Sequence, residues 1–213
     1  MKNWGILLIV LGLFMGICSG ATAEIPEYSQ RLLNKNITPM DLRTYGNADA
    51  PATLYVFSSL SCPHCAGFHN YVLPELLKDV VATGHANLIW VDMPYDARAM
   101  TGTMIARCLP IDDYEKFVSV MYDNQQAWLT AQNPKPIITG YANLLGMSTD
   151  SVNACLSNKE LQKAIINQRN NLANLYKVRG MPTLVVVQGT KSQMFTGSDK
   201  VAIMEGVRQA LGY

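Results

Sequence analysis

The sequence predicts an α/β fold in which a long helical block interrupts a core of strands. An apolar, β-rich stretch over Thr53–Ser58 is followed by a helical pattern and then by a second buried strand over Ala86–Asp92. A strand, a helix and a strand in this order predict parallel pairing of the two strands. From Asp96 to about Lys177 the apolar spacing is helical throughout, and β character returns only after this block.

The helix after the first strand begins at a short cysteine motif. Ser61 is expected to cap its N-terminus, and Pro63 suits a first helical turn. Pro74 lies further along the same helix, inside an apolar stripe. Because a proline removes a backbone donor and clashes with the preceding turn, Pro74 is expected to kink or interrupt the helix.

The helical block divides into five segments, and a short β-rich region follows it. The segments are expected near residues 96–109, 113–129, 136–145, 149–156 and 159–177. Beyond the block, strands are expected over Thr183–Gln188 and Lys191–Phe195, joined by a turn at Gly189-Thr190. A last helix is expected over Lys200–Leu211.

The first 23 residues have the pattern of an export signal. Lys2 is followed by an uncharged apolar run over Trp4–Cys18 and by the small residues Ala21-Thr22-Ala23. This pattern predicts a signal peptide over residues 1–23 and an N-terminal extension over residues 24–46. An uncleaved membrane anchor is the alternative, although the apolar core is shorter than the roughly 20 residues that span a bilayer.

Composition and charge exclude several classes of function. Apolar residues make up 49% of the chain and charged residues 15%, which is typical of a globular protein and argues against disorder. The formal net charge is +1, and removal of the signal peptide takes away Lys2 and no acidic residue, leaving 16 basic and 16 acidic side chains. A chain without net charge has no summed field to hold nucleic acid or an anionic membrane surface. We therefore expect no nucleic-acid partner.

Four cysteines remain after the predicted cleavage: Cys62, Cys65, Cys108 and Cys155. Export places them in an oxidising compartment, where they permit three pairings, and the close spacing of Cys62 and Cys65 favours one of these. A Cys-x-x-Cys turn at a helix N-terminus supplies what disulfide exchange needs, one thiol held ionised and a second that resolves the mixed disulfide. Backbone N–H groups and the helix dipole favour the Cys62 thiolate, so Cys62 is predicted to attack and Cys65 to resolve.

His64 lies between the two cysteines and can tune their chemistry. Its imidazole can donate a hydrogen bond to the Cys62 thiolate or place positive charge beside it, and either effect lowers the thiol pKa. A large contribution from His64 would make the protein a donor of disulfides, and a small one would move it towards a reductase. A zinc site formed by Cys62, Cys65 and His69 is an alternative, but no second close ligand pair accompanies it. No metal and no bound cofactor are expected.

In these motifs the chain resembles the DsbA-like thiol-disulfide oxidoreductases of the bacterial periplasm, and in particular their alphaproteobacterial branch. The resemblance covers residues 47–213. Its motifs are the strand entry Asp49-Ala50-Pro51-Ala52, the quartet Cys62-Pro63-His64-Cys65, and the segments Met104–Cys108 and Asn124–Trp128 of the helical block. The resemblance implies a thioredoxin-like fold in which residues from about 96 to 177 form an inserted helical subdomain.

The resemblance also implies roles for residues far from the quartet. Met181-Pro182 would carry a cis-proline opposite the active site, where the Met181 backbone pairs with an extended client; an ordinary strand-entry turn is the alternative. Cys108 and Cys155 would form a second, non-catalytic disulfide worth about 4 kcal/mol in the chain-entropy model, and two buried free thiols are the alternative. Val56 departs from the family, whose best-known members have a buried acidic residue there that aids proton transfer.

The activity implied by the resemblance is that of a monomeric periplasmic enzyme without a cofactor. Such an enzyme transfers its disulfide to reduced, unfolded exported proteins and is reoxidised by a membrane partner similar to DsbB. A disulfide isomerase or reductase is the nearest alternative. A non-catalytic thioredoxin-like chaperone or binding module is the alternative of another class.

Overall fold

The computed structural model describes residues 23–24 and 43–213, and within these residues six strands form one mixed sheet. The strands are β1 (Ala23–Glu24), β2 (Arg43–Tyr45), β3 (Ala52–Ser58), β4 (Asn87–Asp92), β5 (Thr183–Gln188) and β6 (Lys191–Thr196). Across the sheet they follow the order β1-β6-β5-β3-β4-β2. The central strand β3 pairs in parallel with β4 and antiparallel with β5. The predicted parallel pairing is confirmed.

The first helix, α1, is a continuous helical run that begins directly after the loop following β3. It consists of the segments Pro63–Gly67, Phe68–Val72, Leu73–Leu76 and Leu77–Val81, of which the second and fourth are π-helical. The other helices are α2 (Ala97–Cys108), α3 (Ile111–Asp123), α4 (Gln125–Leu129), α5 (Lys135–Leu144), α6 (Thr149–Ser157), α7 (Lys159–Leu175) and α8 (Lys200–Leu211). Helices α2 to α7 lie between β4 and β5 in the chain and form the predicted helical insertion.

The structure interrupts the α-helical pattern of α1 at Pro74, as predicted, and it divides one helix that was predicted to be continuous. The chain stays helical through Pro74, because the π-helical turns of Phe68–Val72 directly precede the α-helical segment that carries the proline. A proline ring clashes with the carbonyl of residue i−4 in a regular α-helix, and a wider turn relieves that clash. The single helix expected over 113–129 is divided into α3 and α4 at Asn124, whose backbone angles of φ −109° and ψ 20° are not helical.

Both faces of the sheet are covered, and the alternation of side chains along β3 separates the two cores. Leu54 and Val56 point into the larger apolar core, which includes α1, α8 and much of the helical insertion. Tyr55 and Phe57 point to the opposite face, where they pack with residues of β4 and β5 and with Tyr176, just beyond α7. Helix α1, with its two cysteines, therefore lies on the face towards which Val56 points.

A buried ion pair attaches the helical insertion to the sheet. Asp92, the last residue of β4, accepts hydrogen bonds from the Arg107 Nε at 2.6 Å and from the Tyr114 hydroxyl at 2.7 Å. Arg107 also donates to the side-chain oxygen of Gln168 at 2.7 Å. The Asp92 carboxylate therefore holds α2 and α3 directly at the end of β4, and α7 is attached through Arg107.

The predicted signal peptide, residues 1–23, lies outside the described residues apart from Ala23, and so does most of the predicted extension over residues 24–46. Within the extension, Arg43–Tyr45 forms β2, which pairs antiparallel with β4. The sequence did not predict β2, because three residues are too few for a periodic pattern. None of the described helices has the length and apolar character that a bilayer crossing requires.

Candidate active site

The cysteine pair lies where the loop after β3 enters α1. Cys62 is the N-cap residue of α1, with an extended backbone at φ −90° and ψ 119°, and Pro63 follows it in the first helical turn. Ser61, the expected cap, lies one residue too early: its hydroxyl donates instead to the carboxylate of Asp96, the N-cap residue of α2. The N-cap residue of α1 is therefore Cys62 and not Ser61.

The pKa of the Cys62 thiol is lowered from 9.0 to about 6. The largest cause is a hydrogen bond with the Cys65 thiol; burial opposes the lowering, and the backbone N–H groups of Cys65 and His64 add to it. The charge of the His64 imidazole is the smallest of these causes, and that side chain is exposed to solvent. The sequence predicted two causes for a lowered Cys62 pKa, the helix start and the His64 imidazole, and the helix start contributes more.

Cys65 lies one turn further along α1 and is completely buried. The hydrogen bond with Cys62 raises the pKa of the Cys65 thiol, burial raises it further, and the Ser58 hydroxyl and the Ser59 backbone N–H lower it. The Ser59 nitrogen lies 3.4 Å from the Cys65 Sγ. Both cysteines are free thiols in this structure. The opposite pKa shifts divide the pair into one ionised and one protonated sulfur at neutral pH.

The loop before β5 approaches the cysteine pair from the other end of the chain. The peptide bond between Met181 and Pro182 is cis, which is the geometry that the resemblance implied. The Cys62 Sγ lies 3.7 Å from the Met181 carbonyl oxygen, to which it donates when protonated, across 119 residues of sequence. Pro182 is buried, and Met181 remains partly exposed. The fold thus brings a backbone segment against the sulfur that is the more readily ionised.

The region that carries these features also carries the similarity to known proteins. A family model described as Thioredoxin matches residues 38–199. The chain belongs to the thioredoxin family. Its fold is similar to that of Wolbachia pipientis alpha-DsbA1, with a TM-score of 0.72 and 21% identity, covering 80% of this chain and 91% of that one. It is also similar to BdbD from Bacillus subtilis, with a TM-score of 0.63 and 15% identity, covering 90% and 98% of the two chains. The predicted thioredoxin-like fold is confirmed.

Curated relatives of this thioredoxin family member have names from disulfide chemistry. A Rickettsia bellii protein, provisionally named a protein-disulfide oxidoreductase, is 22% identical over 167 residues, which cover 78% of this chain and 64% of that protein. Disulfide bond formation protein D of Bacillus subtilis is 26% identical over 93 residues, which cover 40% of this chain and 42% of that protein. The chain spans between 51% and 64% of the length of its rickettsial relatives.

Two side chains that had no predicted role hold the cysteine loop of this thioredoxin family member. The side-chain amide of Gln125, in α4, donates to the carbonyl oxygens of Leu60 at 2.6 Å and Cys62 at 3.1 Å. Asp96 accepts the hydroxyl of Ser61 from the other side. A signal for Gln125 existed, because it belongs to one of the motifs on which the resemblance rests. Nothing in the local sequence indicates that its amide reaches the loop.

The other residues that the sequence analysis singled out bind partners outside the cysteine pair. Cys108, at the end of α2, and Cys155, in α6, form a disulfide with their Cα atoms 6.2 Å apart. His69, the third ligand of the alternative zinc site, has its Nε2 2.8 Å from Glu115 Oε1 and its Nδ1 2.9 Å from Asn70 Oδ1. In the part of the chain that the structure describes, no group of three or more His, Cys, Asp or Glu residues is arranged to hold a metal ion.

Proposed function

We propose that this chain is a thiol-disulfide oxidoreductase that introduces disulfide bonds into exported proteins through Cys62 and Cys65. The observation that carries the proposal is the position of the Cys62 sulfur: it has a pKa of about 6, and a backbone carbonyl lies 3.7 Å away on the cis-proline loop. A stabilised thiolate is a good leaving group in disulfide exchange. The names of the curated relatives support the same chemistry.

The proposed reaction begins from the oxidised protein, in which Cys62 and Cys65 are joined. A client thiolate attacks the Cys62 sulfur, a mixed disulfide forms, and the bond between the two cysteines breaks with its electron pair on Cys65. A second client thiolate then attacks the client sulfur of the mixed disulfide and expels the Cys62 thiolate. The client loses two electrons and gains one disulfide, and the protein gains the two electrons.

We propose that the client binds as an extended segment beside Met181. Backbone groups of Met181 lie next to the Cys62 sulfur, so a client strand that pairs with them would bring its own cysteine to that sulfur. Pro63 and His64 are exposed at the start of α1 and would border the bound segment. Backbone pairing does not depend on the side chains of the client, which suits an enzyme that acts on many unfolded proteins.

We propose further that the protein works as a monomer in the periplasm, to which the signal peptide over residues 1–23 directs it. Each turnover leaves Cys62 and Cys65 reduced, so an external oxidant must restore their disulfide. A membrane protein similar to DsbB, with an accessible disulfide of its own, is the partner that this chemistry requires. No bound cofactor and no nucleic acid take part in the proposed cycle.

A disulfide isomerase or reductase is a second candidate. The small contribution of His64 to lowering the Cys62 pKa favours this candidate. Lowering a thiol pKa from 9.0 to about 6 stabilises the reduced form at pH 7 by roughly 1 to 2 kcal/mol, a few tens of millivolts. The strongest oxidants, with a thiol pKa of about 3.5, gain roughly 5 kcal/mol in the same way. A reduction potential near about −120 mV would support the oxidase, and one near about −270 mV would favour the reductase.

The proposal is tested by comparing the variants Cys62→Ser and Cys65→Ser with the wild-type protein. Oxidised wild-type protein should transfer its disulfide to a reduced peptide with two cysteines, measured by mass spectrometry after acid quenching. Cys65→Ser, once activated at Cys62 as a mixed disulfide, should exchange with a peptide that has a single cysteine and retain that peptide as a trapped adduct. Cys62→Ser should form no adduct. Exchange that persists in Cys62→Ser would contradict the proposal, and peptide binding without any exchange in the wild type would favour a non-catalytic binding module.

A further inference from the structure

A pair of buried hydroxyl groups lies on the inner side of the cysteine pair. The Ser58 Oγ and the Tyr122 hydroxyl are 2.7 Å apart, and the two residues are only 2% and 3% exposed. Ser58 directly precedes Ser59, whose backbone nitrogen lies 3.4 Å from the Cys65 Sγ, and the Ser58 hydroxyl lowers the pKa of the Cys65 thiol. The two hydroxyls and the Cys65 sulfur therefore lie next to one another, from α3 across the end of β3 to α1.

The geometry of β3 explains how a polar group comes to lie at this place. Side chains two residues apart on a strand point to the same face, so Ser58 faces α1 as Val56 does. Val56 is completely buried and offers no polar atom to Cys65. Ser58, two residues after Val56 on the same face of β3, is therefore a polar side chain on the side of the sheet that α1 covers.

These groups can all donate their hydrogen bonds in one direction, from Tyr122 to Ser58 and from Ser58 to Cys65. A tyrosine hydroxyl that donates to Ser58 leaves the serine hydrogen free to donate to sulfur, since a hydroxyl can accept and donate at once. The Ser59 backbone N–H is a second donor to the same sulfur, at 3.4 Å. Cys65 is 0% exposed, so bulk water does not reach it. A buried charge without hydrogen-bond donors is strongly unfavourable.

We propose that the Ser58 hydroxyl is a catalytic group that stabilises the Cys65 thiolate during exchange, and that Tyr122 is the positioning residue that orients the Ser58 hydroxyl. This inference rests on the proposed function and adds a role for two residues of the same site. When the bond between Cys62 and Cys65 breaks, its electron pair remains on Cys65, and Ser58 and Ser59 donate to that sulfur. The proton that the second client thiol loses when it attacks then neutralises the Cys65 thiolate.

In the reverse direction the same groups assist reoxidation. The Cys62 thiolate attacks the disulfide of an oxidant, and half of the oxidant leaves as a thiolate. Cys65 then gives its proton to that departing thiolate and attacks the Cys62 sulfur, expelling the second half as a thiolate. The titratable groups that face Cys65 are Cys62 on the same helix and Tyr122 from α3, behind which lies Asp92 of β4, paired with Arg107.

The test separates the two steps of oxidation with glutathione disulfide as the probe. Reduced protein is mixed with the probe, quenched in acid at intervals, and analysed by mass spectrometry for the Cys62 mixed disulfide and the final disulfide. In Tyr122→Phe and in Ser58→Ala, closure by Cys65 should be about tenfold slower at pH 7, the effect of one lost hydrogen bond to a charged group. The pH midpoint of closure should rise, and attack by Cys62 should be unchanged.

A matched control and a double variant distinguish this role from general loosening of the core. Tyr114→Phe removes another buried hydroxyl from the same helix, one bonded to Asp92 at 2.7 Å, and should leave closure unchanged. The double variant Ser58→Ala/Tyr122→Phe should be no slower than the slower single variant, because the two hydroxyls act as one unit.

Three results would overturn the inference: normal closure in both single variants, equal slowing in Tyr114→Phe, or additive slowing in the double variant. A wild-type protein whose Cys62 fails to attack glutathione disulfide would instead overturn the proposed function. The two failures are distinguishable, because the first step of the reaction reports on Cys62 and the second on Cys65.

Discussion

At the scale of single residues, the reactivity of this protein depends on the groups that surround the Cys62 sulfur. With a pKa of about 6, most of this thiol is ionised at pH 7. The Cys65 thiol is the largest cause of the lowered pKa, and the first backbone N–H groups of α1 contribute more than the His64 charge. The two cysteines therefore behave as one unit, in which the protonated sulfur stabilises the ionised one.

This order of causes predicts the titration of three proteins. The reduced wild type should show thiolate absorbance at 240 nm with a midpoint near pH 6. Cys65→Ala should move the midpoint of Cys62 upward, towards the value of a free thiol, because the main hydrogen bond is lost. His64→Ala should move it less, because the imidazole is the smallest cause. A larger shift in His64→Ala than in Cys65→Ala would contradict this account of the site.

The same pKa determines how the stability of the reduced protein changes with pH. The folded pKa of Cys62, about 6, lies below the ordinary value of 9.0, so its contribution is complete above pH 9 and is lost as pH falls through 6. The difference in unfolding free energy between reduced wild type and Cys62→Ser should therefore increase from pH 6 to pH 9. Urea denaturation in the presence of a reductant measures this difference. Titration of Cys65, whose pKa is raised, lies above this range.

At the scale of elements, the helical insertion fixes the loop that carries the cysteines. The short helix α4 contributes Gln125, whose amide donates to two carbonyl oxygens of that loop. Helix α2 packs closely against the same loop at Gly102, where an added Cβ would lie 2.8 Å from the Leu60 Cδ1 and 2.9 Å from the Met121 Cε. The insertion therefore positions the cysteine loop as well as enlarging the core.

Removal of the Gln125 amide should weaken the cysteine loop. Gln125→Ala leaves two buried carbonyl oxygens without this donor and should lower the unfolding free energy by about 1 to 3 kcal/mol. Disulfide transfer to a reduced peptide should also slow, because the backbone of Cys62 loses a support. Gln126→Ala, at the exposed neighbouring position, is the matched control and should change neither quantity. Equal effects of the two variants in denaturant unfolding would show that the amide contacts are not responsible.

At the scale of the whole molecule, two links hold the insertion together and to the sheet. The ion pair of Asp92 and Arg107 is buried at the end of β4, where neither charge is accessible to salt. The disulfide of Cys108 and Cys155 closes a loop of 47 residues within the insertion, between α2 and α6. Neither link touches the sulfur of Cys62, so both support the fold rather than the chemistry.

Loss of this disulfide should reduce stability and spare the reaction. In the chain-entropy model, opening a loop of 47 residues costs about 4 kcal/mol of unfolding free energy. Cys108→Ala/Cys155→Ala should show that loss in guanidinium unfolding, with the active cysteine pair oxidised in both proteins. Its disulfide transfer below the unfolding transition should match that of the wild type. A folded double variant that no longer transfers disulfides would contradict the separation of structural and active cysteines.

The sequence by itself determined most of the helices and strands, and it predicts that Cys62 attacks and Cys65 resolves. Strands such as Thr183–Gln188 and helices such as Lys200–Leu211 depend on periodicity over a few neighbouring residues, so both were predicted with the bounds that the structure has. A Cys-x-x-Cys turn at a helix start is likewise a local feature. The cis-proline loop and the bond between Cys108 and Cys155 came from the family resemblance, since no local pattern indicates them.

Only the tertiary structure decided which distant groups meet the two sulfurs. It places the Met181 carbonyl beside Cys62, the Gln125 amide on the cysteine loop, and the hydroxyls of Ser58 and Tyr122 behind Cys65. It also decided that the neighbouring thiol outweighs the imidazole in lowering the Cys62 pKa. The physical reason is the same in each case: hydrogen bonds and desolvation act over a few ångströms in space, and packing, not spacing along the chain, determines which groups lie within that range.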